Sequence, residues 1–505
     1  MDEPYRETHH PLKVPAILAR RVHYLVLAFV ATTILGLVRG KLTALLIGPP
    51  GVSLYAQASN LLQMGAVLGS LGLGLCIVRE VAAAASEDDY SRQHLVLRTA
   101  LALQAVAVSA VLLSGLLGAG PLARWAFQRD WLAITVVVLG GVPFVVGTIV
   151  AGSVLQGRGA VRLYSGALAS GALANTITVS LGAWLAGTEG AILGLVLGGV
   201  VTLAVHLLAC RKLTQVTDAS ATRWLPIDRK VTGLLLTFGA ATLVNGFVEI
   251  GAQLVLRRSL MKLLGEFQTG IFQAGITVSA QSGGLFTLLL GATLFPALSK
   301  CRTTGQVRGE VADSLNLTLT LLMPLLLGLT LARDIIAPTL FSSAFGALSP
   351  LIPVLAIADF FRIATWPLSY PVLARGAVKT HVVVVCVLNS LLAVLPALGA
   401  RSSGLVGAAW GQAAAVFAGF VGVVLLQGFS VGLWLHPGLV IRLARDFLLL
   451  VLAASPVLFD WPSPVGFGAA LLWGGMLVAR PADRLALWEP VRLVCSWVTS
   501  RRGGP

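Results

Sequence analysis

The sequence predicts an all-α polytopic membrane protein: about fourteen transmembrane helices, built as two pseudo-symmetric six-helix lobes with two helices appended at the C-terminal end. Three observations carry this. First, 56% of the 505 residues are hydrophobic and only 11% are charged, whereas a soluble chain carries about 25% charged residues; the mean hydropathy is +0.88. Second, apolar runs of roughly 20 residues recur from end to end, each able to cross about 30 Å of hydrocarbon. Third, the pattern of the first half returns in the second at a nearly fixed offset.

The polar stretches leave little room for anything else. The longest are the first ~20 residues, about 20 around Arg211–Lys230, ~14 around Ser299–Ala312 and the last ~25, all short of the ~50 residues of a small domain. A nucleotide-binding or catalytic domain is thereby excluded, and neither a Walker-type phosphate loop nor an HExxH zinc sequence occurs. Cys76, Cys210, Cys301, Cys386 and Cys495 lack CxxC spacing and read as filler in an apolar interior. No catalytic residue, metal site or cofactor is expected. Arg20 and Arg21 lead into a span too long, and without the cleavage site, for a removed signal.

Hydropathy and loop punctuation place the spans near 22–47, 53–84, 93–118, 131–156, 163–186, 189–210, 231–258, 268–298, 314–333, 347–374, 380–399, 404–429, 443–460 and 464–480, numbered 1 to 14 in that order. Spans beyond the ~20-residue minimum tilt, kink or project from the lipid. Pro143, Pro324, Pro367 and Pro371 fall inside spans, where each frees a carbonyl that neighbouring helices or water must satisfy. With the N-terminus inside, roughly 25 of the 36 basic residues face the cytoplasm and about 7 face out. Both termini are therefore expected in the cytoplasm, and the net charge of +15 reads as topology rather than nucleic-acid binding. The expected organisation is a cytoplasmic segment (1–21), a first lobe (22–212, spans 1–6), a linker (213–230), a second lobe (231–429, spans 7–12), the appended spans (430–480) and a cytoplasmic tail (481–505).

Arg158-Gly159-Ala160-Val161-Arg162 returns as Arg375-Gly376-Ala377-Val378-Lys379, an offset of 217. Ser53-Leu54-Tyr55 returns in character as Gly270-Ile271-Phe272 at the same offset, and Asn175 and Gly190 match Asn389 and Gly404 at 214. A step of six spans makes the repeats parallel, related by an axis along the membrane normal. Lobes so related enclose a midplane cavity and rock for alternating access, so a transporter is the leading class.

Ionisable residues inside spans are costly and mark cavities or partners. Arg39 and Lys41 sit in span 1, either snorkelling to the outer headgroups or lining the outer half of a cavity. The 217 offset brings Lys41 onto Arg258, beside Arg257, which favours a ring of cations around a shared opening. Asn245, Glu249, Gln253 and Arg257 recur every four residues as one polar stripe on span 7. Gln273, Thr277 and Gln281 form a second stripe on span 8, and Gln57, Asn60 and Gln63 a third on span 2. Such stripes either hydrogen-bond between helices or face a hydrated cavity. Asp359 and Arg362, at i and i+3 in span 10, read equally as a structural pair or a substrate contact. Glu249, a carboxylate with no evident local cation, suits proton or sodium coupling. Arg39, Lys41, Arg257, Arg258 and Arg362 outnumber the carboxylates, and arginine and lysine suit phosphate or pyrophosphate. Amide and hydroxyl stripes suit sugars. A lipid-phosphate glycan fits best.

The stretch Leu35–Ala58 (LGLVRG, IGPPG, SLYAQA) resembles the opening of bacterial oligosaccharide flippases of the multidrug/oligosaccharidyl-lipid/polysaccharide exporter superfamily. Leu263–Leu298 (LLGEFQTGIFQAG…LFPAL) and Ala358–Thr380 (ADFFRIATWPLSYPVLARGAVKT) resemble the seventh-to-eighth and tenth helix regions of its Wzx branch, of the O-antigen and lipid III translocase kind. The resemblance runs over roughly Arg21–Phe429. It implies a V of two six-helix lobes in a bacterial inner membrane, moving undecaprenyl-pyrophosphate-linked oligosaccharide to the periplasmic leaflet for surface polysaccharide or lipopolysaccharide (O-antigen) biosynthesis, without a catalytic step. It also implies a proton or sodium gradient as energy source and polysaccharide polymerase or assembly proteins as partners. In related lipid II flippases the LGxVR arginine faces the cavity and is required, which falls on Arg39. Two departures stand out: Ala358 precedes Asp359 where the Wzx pattern often has glycine, and Gly40 follows Arg39 where lipid II flippases have aspartate. The second argues against lipid II as cargo. A drug or cation antiporter of the same superfamily would need an acidic cavity, and a glycan polymerase or ligase a long outer loop; a non-transporting scaffold is the blandest alternative.

Overall fold

The computed structural model describes residues 16–214, 229–298, 301, 303–374, 378–432, 434–459 and 463–479, and every regular element among them is helical. Residues 1–15, most of the linker, the tail and the Arg375–Ala377 part of the repeated basic motif lie outside the described residues.

Among the described residues fourteen spans can be followed, and eight of them are fused in pairs. Helical runs Ala16–Ser70, Val161–Thr214, Arg229–Leu298 and Val378–Val431 each break at one glycine with positive φ: Gly48, Gly187, Gly265 and Gly404. These breaks divide spans 1 from 2, 5 from 6, 7 from 8 and 11 from 12. Only glycine takes this backbone conformation without steric cost, so a single residue turns the chain. Spans 5 and 6 fold back in near backbone contact: a Cβ on Gly182 or Gly190 would sit 2.0 Å from the other's carbonyl oxygen. Gly399 and Gly407 repeat this at 2.0 Å between spans 11 and 12.

The breaks correct the repeat register. Gly48 pairs with Gly265, Gly187 with Gly404, Gly182 with Gly399 and Gly190 with Gly407, all at 217. The dihedrals agree too: (57°, −136°) at Gly187 and (62°, −139°) at Gly404. The 214 matches of Asn175 with Asn389 and Gly190 with Gly404 are therefore out of phase by nearly one helical turn, which keeps residue character while missing true equivalence.

Other expectations shift locally. Span 2 breaks again at Leu71 and Gly72 (φ 52° and 66°) and resumes as Gly74–Ser86. Span 4 is Leu132–Gly140 followed by Val142–Gly157, so Pro143 starts a helix rather than interrupting one. Two short helices, Ala119–Phe127 and Arg333–Leu340, precede spans 4 and 10 at the end of the molecule that carries the turn glycines. We call this the turn end and the opposite one the basic end.

Span 10 (Leu351–Ala374) is the buried axis of the second lobe. In its most apolar window 89% of residues are buried, against 44% for its counterpart, span 4. The difference comes from span 13 (Pro437–Leu458), which packs on spans 9 and 10, while span 14 (Ser463–Ala479) packs on span 13 and also touches span 9. Span 13 is held on span 9 (Thr304–Leu331) by polar contacts as well, since Arg442 donates to Asn316 (3.1 Å) and Thr320 (2.6 Å); within span 13 the buried Asp446 accepts from Arg445 at 2.6 Å. Breaking such a buried pair from one side leaves an uncompensated charge and costs about 3–5 kcal/mol.

Candidate functional site

The lobes meet along two antiparallel seams, span 1 on span 8 and span 2 on span 7. Gly36 faces Gln281 and Phe29 faces Gly284 in the first; Val67 faces Gly246 and Met64 faces Gly251 in the second. Small residues let the backbones approach, the usual device where hydrocarbon offers no driving force between helices.

Polar side chains crowd the turn-end half of these seams. Gln57, fully buried, donates to the carbonyls of Ala126 (3.2 Å) and Leu254 (3.4 Å), and Asn60 donates to Gln253 at 3.2 Å. Arg257, 7% exposed, bridges the lobes: one nitrogen donates to the Ala56 carbonyl at 2.8 Å and another to Gln273 at 2.6 Å. Arg258 donates to the Trp125 carbonyl at 2.9 Å and lies over the Trp125 ring, while Gln128 donates back to the Arg258 carbonyl. Lys41 reaches across to the other lobe. Its Nζ lies 2.9 Å from the carbonyls of both Pro338 and Thr339, the last turn of Arg333–Leu340, where a cation also meets the negative end of the helix dipole. Arg129 and Glu266 complete the set as an ion pair across the lobes. The tightest cross-lobe contact lies beside them: a Cβ on Gly270 would stand 1.8 Å from the Pro49 carbonyl oxygen.

Arg39 lies nine residues before Gly48, about 14 Å down span 1. Its guanidinium donates to the Asn175 amide oxygen of span 5 at 3.2 Å. In the other lobe Asp359, 2% exposed, accepts from Arg362 at 2.6 Å and from the Ser279 hydroxyl at 2.5 Å, and Arg362 also donates to the Ser279 carbonyl at 2.7 Å. Both readings of this pair thus gain a third member, with Arg362 retaining a 28% exposed side chain.

The span 7 stripe does not stay on one face. Each four-residue step advances about 40° around a helix, so Glu249 and Gln253 are exposed whereas Arg257 is buried in the seam. Asn245 holds a buried carbonyl oxygen with no hydrogen-bond partner among the described residues. On span 8, Thr277 donates to the Gln273 carbonyl within its own helix, and Gln281 lies 3.6 Å from where a Gly36 Cβ would be, one turn from Arg39. The sequence reading missed Asn175 as a contact and missed Gln128, Arg129, Glu266 and Ser279 altogether.

The charge balance follows. Arg39, Lys41, Arg257 and Arg258 are held by carbonyls and amides, and among the described residues none has a carboxylate within ion-pair distance; Arg362 alone does.

Comparison with known proteins agrees with this architecture. The chain is 23% identical to the lipid III flippase of Escherichia coli (strain K12) over 354 residues, 69% of this chain and 83% of that protein, and matches that of Shigella flexneri equally. The fold is similar to the solved structure of the lipid II flippase MurJ in an inward closed conformation (TM-score 0.68, 14% identity, 90% of this chain and 98% of that one). It is also similar to an inward-facing multidrug-resistance MATE transporter (TM-score 0.66, 14% identity, 79% and 96%). The resemblance to oligosaccharide flippases read from the sequence is borne out. A family profile described as "Polysaccharide biosynthesis protein" matches residues 42–350, well over half of the chain, and the protein belongs to that family.

Proposed function

We propose that the protein flips undecaprenyl-pyrophosphate-linked oligosaccharide from the cytoplasmic to the periplasmic leaflet of a bacterial inner membrane, for surface polysaccharide such as O-antigen. The observation that carries this reading is the set of four cations held by neutral partners where the lobes meet. A cation bonded to a carbonyl keeps its full charge, and in a low-dielectric interior that charge attracts an anion strongly. Pyrophosphate suits it, and the Gln, Asn and Thr side chains around it suit sugar hydroxyls.

The basic end is cytoplasmic, both termini lie there, and the turn end faces the periplasm. In this state the outer side is shut by the contacts of Lys41, Arg257, Arg258 and the Arg129–Glu266 pair. Transport opens them as the lobes rock, while the prenyl tail stays in lipid. Arg39, Lys41, Arg257, Arg258 and Arg362 serve the pyrophosphate, and Gln57, Asn60, Asn245, Gln253, Gln273, Thr277 and Gln281 the glycan route. Glu249, exposed on span 7, is the candidate for proton or sodium coupling, with Asp359 the buried second. Spans 13 and 14 offer a face for polymerase or assembly proteins. Cells lacking the gene should accumulate polyprenyl-pyrophosphate oligosaccharide, detected by mass spectrometry of extracted lipid; wild type clears it and a folded Arg39→Ala protein does not. Raised drug sensitivity with no such lipid would favour the antiporter.

A further inference from the structure

We propose that Asn175 is a positioning residue that fixes the Arg39 guanidinium while leaving its charge uncompensated. This rests on the reading of Arg39 as a headgroup contact. Three observations build the placement. Asn175 accepts from Arg39 at 3.2 Å across spans 5 and 1. The next residue, Thr176, is buried, its hydroxyl 2.8 Å from the Ala172 carbonyl of its own helix and 3.2 Å from the Leu35 carbonyl, one turn before Arg39, so spans 5 and 1 are in close contact at this level. Behind it, span 6 offers Gly198: a Cβ there would lie 3.0 Å from both Cα and Cγ of Asn175, so the amide fills a slot that only glycine leaves open.

The chemistry of the partner is the point. Asparagine and aspartate have nearly the same shape, and either accepts from an arginine. Aspartate would hold the guanidinium more strongly and cancel its charge, as Asp359 does for Arg362 in the other lobe at 2.6 Å. Arg362 is thus neutralised by its carboxylate, whereas Arg39 keeps its charge. The repeat does not duplicate the arrangement: positions 256 and 392, equivalent to Arg39 and Asn175 at 217, are leucines. An amide at 175 orients the cation without competing with an anionic headgroup for its charge.

The test compares binding of undecaprenyl pyrophosphate and of uncharged undecaprenol to the full-length protein in lipid nanodiscs, with thermal unfolding as the check on folding. Asn175→Asp is expected to weaken pyrophosphate binding at least tenfold, to leave undecaprenol binding unchanged, and to keep the melting temperature. In an Arg39→Gln background the same change should have no further effect, because the two residues act as a unit. Asn175→Ala, which removes the orienting contact but not the charge, should lose less than Asn175→Asp. A purely structural role predicts the reverse order, with Asn175→Asp tolerated and Asn175→Ala harmful to both ligands; that result overturns the proposal. If Arg39→Gln itself leaves pyrophosphate binding intact, the reading of Arg39 fails first. If Arg39→Gln weakens it and Asn175→Asp does not, only the role of Asn175 falls.

Discussion

The two ends of the lobe interface differ in what surrounds a shared device: each has a glycine against backbone, Gly270 on Pro49 at the turn end and Gly72 on Gly239 toward the basic end, and the turn end adds a cluster of directional polar contacts. At the turn end the lobes are joined by directional polar contacts: Arg257 to Ala56, Arg258 to Trp125, Lys41 to the last turn of Arg333–Leu340, and Arg129 to Glu266. Toward the basic end they meet backbone to backbone. A Cβ on Gly72 would lie 2.5 Å from the Gly239 carbonyl oxygen and one on Gly239 would lie 2.7 Å from that of Leu71, with Arg79 over the Phe238 ring beyond them. Hydrogen bonds to neutral acceptors are worth only about 1–3 kcal/mol each and exchange readily for water or a ligand. A glycine contact has no alternative partner; it is made by shape and lost by any added atom. The polar end is suited to opening, and the glycine end to serving as a bearing.

Four substitutions sharpen or break this contrast, from the largest effect down. Gly270→Leu should prevent the turn end from closing, because even a methyl would meet the Pro49 carbonyl at 1.8 Å. Transport should fall to background, and a cysteine at position 128 should be alkylated from outside as fast in the resting protein as in the open one. Gly72→Ala combines a positive φ of 66° with a 2.5 Å approach to Gly239. Left-handed backbone costs an alanine about 1–2 kcal/mol and overpacking about 1–3 more, so the thermal midpoint in detergent should drop; an unchanged midpoint would mean that the bearing yields. Lys41→Met removes the cation from a helix C-terminus, worth about 0.3–1 kcal/mol, and should raise alkylation at position 128 a few-fold with the fold intact. Glu266→Gln breaks a pair whose members are 41% and 26% exposed. Such pairs contribute about 0–1 kcal/mol and weaken in salt. The change in accessibility should be the smallest of the four and should vanish at 1 M salt.

Fold class was readable because hydrocarbon forces every span to declare itself in composition, and Arg158 with its repeat at 375 gave the lobe symmetry. The single-glycine turns were not recognised, since one glycine among many in apolar helices carries no local signature; Gly48 and Gly265 stand out only once their dihedrals are seen. At the site, sequence marked the cations through their cost in lipid. It could not mark their partners. The acceptors for Lys41, Arg257 and Arg258 are largely backbone carbonyls, which every residue supplies, and Asn175 lies 136 positions from the arginine it holds. The stripe on span 7 misled for a geometric reason: a spacing of four keeps neighbours close while rotating the series off any one face.

The paired glycines of spans 5–6 and 11–12 bear on how the chain enters the membrane. Because Gly187 and Gly404 turn the backbone within one or two residues, the chain that joins each pair of spans is reduced to a few polar residues. Each pair can partition into lipid as a single hairpin whose main-chain groups are already bonded within their own helices. The glycine seam is a tertiary contact that each pair can make without the rest of its lobe.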